Sequence, residues 1–149
     1  MGVNTAFAGR SYPPTEPYEV RAEEISAFAS AVGATNPVHH DPEAARAAGH
    51  AGVVAPPTYA VVIAQRCDAQ LVRDPEAGID FSRVVHGQQS FEHHRPIVAG
   101  DRIVGVLYVD TVREAGGHAM VTTRSELSDA DGRPVCTATS TIVVRGEDA

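Results

Sequence analysis

Residues 57–72 read P-T-Y-A-V-V-I-A-Q-R-C-D-A-Q-L-V, and their reading decides the fold. Tyr59, Val62, Ile63, Arg66 and Cys67 recur at helical spacing on one face, with Ala60, Ala64 and Leu71 beside them. Pro57 suits the opening of a helix, where its missing N–H would have had no partner. No other helical stretch in the chain is as long or as apolar, so this one belongs at the centre. Ala60 and Ala64 present only methyl groups and let another element come close.

Upstream, the pattern is also helical. Ile25, Phe28, Ala29 and Val32 form one apolar stripe, Glu23 and Glu24 occupy the first turn, and Gly33 is the stop. Asp41-Pro42-Glu43 opens a second helix that ends before Gly49. The segment from Gly9 to Pro17 is proline-rich and reads as irregular, and Tyr18 to Val20 as a short strand. Downstream of Asp80 the period changes to two. Four strands are expected, at Arg83 to His94, Asp101 to Ala115, His118 to Asp129 and Arg133 to Arg145. Ala99-Gly100-Asp101, Gly116-Gly117 and Asp131-Gly132 punctuate them. Connections this short require antiparallel pairing, since a parallel crossover needs about a dozen residues. The expected fold class is therefore α+β, a long central helix laid against a curved antiparallel sheet. The edges of such a sheet stay open, which favours dimerisation.

The chain has 149 residues, and at roughly 150 per domain the expectation is a single domain over 1–149. Twelve basic and nineteen acidic residues give a net charge of −7 without any basic run, which argues against a nucleic-acid partner. All the basic residues are arginine; without lysine there is no Schiff-base chemistry and no phosphate-loop lysine. Cys67 and Cys136 form no disulfide framework, and the default is a cytoplasmic location with reduced thiols. No apolar run reaches the ~18 residues of a membrane span, and the start of the chain lacks the pattern of a secretory signal.

The segment richest in chemistry is Val32 to Asp41, V-G-A-T-N-P-V-H-H-D, a loop held at both ends by helices. Asn36-Pro37 initiates a turn and fixes the direction of His39. A histidine so placed can serve as a general acid or base; equally, Asn36 and His39 can simply satisfy the backbone of a capping turn. The His39-His40 and His93-His94 pairs make poor metal sites, because adjacent side chains in extended backbone point apart. One of His93 and His94 is expected to face the sheet interior and approach the site. Neither cysteine has an activating neighbour in the sequence.

The segment G-A-T-N-P-V-H from Gly33 to His39 resembles the G-D-x-N-P-[IV]-H motif of MaoC-like hydratases and dehydratases of the hot-dog fold. A second motif of that family, F-x-x-P-[IV]-x-x-G-D, is close to Phe91 followed by His94-Arg95-Pro96-Ile97-Val98-Ala99-Gly100-Asp101. The resemblance extends over nearly the whole chain. It is strongest to the substrate-holding subunit of two-subunit (3R)-hydroxyacyl-ACP dehydratases. It implies interconversion of a trans-2-enoyl thioester and a (3R)-3-hydroxyacyl thioester, with an aspartate and a histidine moving protons and a backbone N–H holding the thioester oxygen.

Residue by residue, the resemblance is partial. The family histidine falls on His39 and the asparagine on Asn36. The family aspartate falls on Ala34, which moves no proton, and the glycine of A-H-G falls on Pro57, which has no N–H to donate. The expected role is thus a subunit that lines the acyl pocket with Pro57, Thr58 and Tyr59, and with Val62 and Ile63 as further candidates, while a MaoC-like partner supplies the Asp/His pair. Two alternatives stand beside it. One is a self-sufficient hydratase or thioesterase using His39, with Asp41 as the nearest carboxylate. The other is a non-enzymatic acyl-thioester binding protein. No metal or redox cofactor is implied, because the thioester carrier, coenzyme A or acyl carrier protein, is part of the substrate. The partners implied are acyl-CoA or acyl-ACP and a second subunit, in a homodimer or heterodimer. Arg83, Arg95 and Arg102 are candidates for contact with carrier phosphates.

Overall fold

The computed structural model describes residues 2–146; Met1 and residues 147–149 of the expected domain lie outside the described residues. The elements in chain order are β1 (Tyr18–Glu19), α1 (Ala22–Ala31), α2 (Pro42–Ala47), α3 (Ala60–Val72), β2 (Val84–His93), β3 (Arg102–Ala115), β4 (His118–Ser128) and β5 (Pro134–Val144). The strands form one sheet in the order β1-β3-β4-β5-β2, with every pair antiparallel. This is a hot-dog fold: the sheet curls around α3.

Helix α3 is preceded by a single 3-10 turn, Pro57–Tyr59, so the expected helix at 57–72 is regular only from Ala60. Two consecutive prolines, Pro56 and Pro57, cannot donate, and the chain tightens before the α-helix takes over. Ile63, Ala64, Cys67 and Leu71 are buried, the i, i+4, i+8 stripe of a helix that faces a sheet. Opposite them lie alternate residues of β3, β4 and β5, among them Ile103, Leu107, Val121, Leu127, Cys136 and Ala138. At Gly105 helix and sheet come very close. A Cβ there would collide with Cys67 Sγ and stand 3.0 Å from Leu127 Cδ2.

Gly116 and Gly117 both have positive φ (59° and 80°) and join β3 to β4 as a two-residue hairpin. Bulges at Val109/Thr111 in β3 and His86/Gln88 in β2 add the bend that a wrapped sheet needs.

The segment from Gly9 to Pro17, read as irregular, has a definite place. It runs along β3, where the N–H groups of Gly9, Tyr12 and Thr15 donate to the carbonyls of Val109, Leu107 and Gly105. Pro13, Pro14 and Pro17 prevent it from becoming a regular strand. That side of the sheet is therefore covered, whereas β2, ten residues long, is an open edge with Val85 exposed and Phe81 exposed just ahead of it.

Candidate functional site

Three stretches of backbone build the site by holding one another. The first is the loop after α1. Asn36 caps a 3-10 turn, Pro37–His39, its side-chain oxygen accepting the N–H of Val38 at 3.1 Å. Asp41 caps α2 in the same way, accepting the N–H of Glu43 at 2.9 Å. The second stretch is Val53 to Ala55, which threads between the loop and the third, Ile97 to Ala99. Val54 N–H donates to Val38 O (2.9 Å), Ala55 N–H to Ile97 O (2.8 Å) and Ala99 N–H to Val53 O (2.8 Å).

His39 closes this assembly, with Nδ1 2.7 Å from Val54 O. A carbonyl can only accept, so Nδ1 carries the hydrogen, and in the neutral ring Nε2 keeps its lone pair. That is the tautomer a general base needs. His40, its neighbour, is fully committed: Nε2 donates to Ala34 O at 2.9 Å and Nδ1 accepts from Ser26 Oγ at 2.7 Å. The two rings stand nearly perpendicular with centroids 6.5 Å apart, and they bond to separate partners.

The position that resembles the family's aspartate is Ala34, whose carbonyl serves only to hold His40. The oxyanion position, Pro57, is exposed and offers no N–H. Its carbonyl accepts from His93 Nε2 at 2.8 Å. His93 thus reaches the site: it sits directly opposite Cys136, on the face of the sheet that packs against α3, while His94 points to the other face. Both are exposed, and His94 lies 3.2 Å from Thr137 Oγ1. Thr58 is exposed beside Pro57. Tyr59 is 1% exposed, with its hydroxyl 2.7 Å from that of Tyr18 and its ring edge-on to Phe28, so in this chain it packs the core. Burial raises the Tyr59 and Tyr18 hydroxyls above the ordinary phenol range, and Glu24, which accepts from Tyr18 at 2.9 Å, adds to the shift at Tyr18.

The second motif works as a clamp. Arg95 grips Asp101 with two hydrogen bonds (2.8 and 3.2 Å) and reaches Asp129 at 3.4 Å. Asp101 in turn accepts the N–H of Val98 at 2.9 Å and fixes the stretch that bridges to Val54. Arg95 is therefore spent on structure and not on carrier phosphates. Arg83 is likewise engaged by Gly146 O at 2.7 Å and Asp80 at 3.5 Å, while Arg102 is exposed at the start of β3.

One cluster escaped the sequence reading. Asp68, on the C-terminal half of α3, accepts from Thr123 Oγ1 at 2.7 Å, and Thr123 Oγ1 lies 3.3 Å from Ser140 Oγ. Burial pushes the Asp68 carboxyl above its ordinary range, against the lowering effect of Thr123. It borders a cavity of about 700 Å³ between α3 and the sheet. Among the described residues no group of three or more His, Cys, Asp and Glu side chains could hold a metal ion, and no helix is long and apolar enough to cross a membrane.

A helix wrapped by a curled antiparallel sheet, with an Asn-Pro-Val-His turn docked beside the helix start, defines a MaoC-like hot-dog protein. The chain belongs to the family of FAS1-like dehydratase domain regions, which it matches over residues 6–138. It is similar to a UPF0336 protein of Leifsonia xyli, with 56% identity over 98% of each chain. A MaoC-like dehydratase superposes with a TM-score of 0.87 at 31% identity; the match covers 96% of this chain and 43% of that one, so this chain spans less than half of that protein. The HadBC (3R-hydroxyacyl-ACP dehydratase) complex of Mycobacterium tuberculosis superposes with a TM-score of 0.82 at 29% identity, covering 92% of this chain and 96% of the other.

Proposed function

We propose that this chain is one subunit of a (3R)-3-hydroxyacyl thioester dehydratase, or trans-2-enoyl thioester hydratase, of fatty-acid metabolism. It holds the acyl chain while a MaoC-like partner supplies the catalytic Asp/His pair and the oxygen-binding N–H. The observation that carries this reading is the pair of gaps at the site: alanine at position 34 and an N–H-less proline at position 57. Loss of one oxyanion donor alone typically costs about 100- to 1000-fold in rate, and the carboxylate nearest His39 in the sequence, that of Asp41, is occupied as a helix cap.

The open β2 edge supports a second subunit. Antiparallel pairing along β2 sets the Val84 end of this strand beside the far end of the partner's strand, where the partner's own loop and helix start lie. The cavity next to Val84 then receives a chain that enters from the partner's site. The HadBC dehydratase is itself a complex, which agrees with this arrangement. The thioester would be carried on coenzyme A or acyl carrier protein, in the cytoplasm.

The test is hydration of crotonyl-CoA by the purified chain, alone and co-expressed with a catalytic MaoC-like subunit. No turnover alone and turnover with the partner is expected. One observation favours a self-sufficient enzyme instead: the Val54 bond leaves His39 Nε2 free to act as a base. Activity of the chain alone that falls at least about 100-fold in His39→Ala would establish that alternative and overturn the subunit reading.

A further inference from the structure

The cavity beside the C-terminal half of α3 is not uniformly apolar. Leu71 (2% exposed), Val72, Val84 and Ile142 make its walls, as an aliphatic chain requires. Its floor carries the Asp68–Thr123–Ser140 cluster, with Thr123 and Ser140 at 3% and 4% exposure. All three line the cavity, and Asp68, only partly covered where Thr123 and Ser140 are buried, is the most accessible member of the cluster. Gln65, Arg73, Phe81 and His86, all exposed, form the rim.

A carboxyl group in such a place needs a reason. Among the described residues Asp68 joins no ion pair, and a pocket meant only for a saturated chain would be better served by leucine. Two hydroxyls already turn toward Asp68 and each other, which leaves the carboxyl with unused hydrogen-bonding capacity on the cavity side. An oxygen-bearing ligand would use that capacity. A bare hydrocarbon would bury it unused, and sites built to bond a hydroxyl reject analogues that lack one.

We propose that this cavity binds an aliphatic chain that carries a hydroxyl or carbonyl oxygen, and that Asp68, backed by Thr123 and Ser140, is the residue that selects for that oxygen. That the chain is an acyl chain passed from a partner's site rests on the function proposed above; the binding preference does not.

The full chain is titrated calorimetrically with decanoate and with 10-hydroxydecanoate, two probes of equal length that differ in one hydroxyl. The hydroxylated probe is expected to bind at least about tenfold tighter, with amide shifts at Thr123 and Ser140 in NMR spectra. Asp68→Leu is expected to reverse the preference. Should that variant not fold, Thr123→Val is expected to narrow it. Equal affinities, no saturable binding of either probe, or selective binding of decylammonium would each overturn the proposal, the last because it would make Asp68 a carboxylate for cations. Both titrations use the chain without thioester or partner, so a failed hydration assay leaves their result standing, and the reverse also holds.

Discussion

His39 and Asp68 differ in what made them visible. His39 follows Asn36-Pro37, and a turn that fixes its own backbone announces itself locally; the Val54 carbonyl that selects its tautomer does not, since it comes from a separate stretch. Asp68 occupies a helical position that reads as ordinary polar surface. Its meaning comes from Thr123 and Ser140, on strands far along the chain, and no local pattern encodes that meeting. Asp68→Asn tests the burial. The folded carboxyl is raised above its unfolded value, so its protonated form is favoured in the fold. Stability from this group is complete below the unfolded pKa of about 4 and declines as pH rises through the folded value. Urea midpoints should therefore show Asn gaining on Asp between pH 4 and pH 8. The two thiols give a second expectation at this scale. Burial pushes Cys67 and Cys136 up to about 11, so both are protonated at pH 8. Mass spectrometry should find neither alkylated by iodoacetamide in the native protein at pH 8, and both alkylated in urea.

At the scale of elements, the strands were legible because period two and paired turn residues are local signals. The start of α3 was less so. Pro57 suited a helix opening, yet the turn it opens is 3-10, a common form of the first turn of a helix. The second motif was visible as a spelling and not as a device. Only the fold reveals that Arg95 and Asp101 hold the stretch on which Val54, and hence His39, depends. The close approach of helix and sheet at Gly105 offers a direct test of this packing. Gly105→Ala should lower stability by about 1–3 kcal/mol through overpacking against Cys67. Cys67→Ala in the same chain should recover part of that loss, a coupling that a double-mutant cycle in urea would measure.

For the molecule as a whole, the sequence conveyed that helices come first, that strands pair antiparallel, and that an edge would be left open. It did not convey which edge. Val85 and the preceding Phe81 are among the few large apolar side chains left exposed, and both belong to the β2 side. Pairing along β2 should make the protein, co-expressed with its MaoC-like partner, dimeric in sedimentation experiments. Phe81→Ser with Val85→Glu should shift it toward monomers with the fold retained; a pair that survives both substitutions would refute the edge assignment.

The proline-rich segment that lies along β3 has a consequence for assembly. Growth of sheets into fibres demands a sticky margin at each end of the repeating unit, and here one margin is already occupied by the molecule's own leading residues. A body with a single adhesive side can find one companion and then has nothing left to offer a third. The prolines that look like slack at the front of the chain are in this sense what leaves only the opposite margin, at β2, to offer a companion.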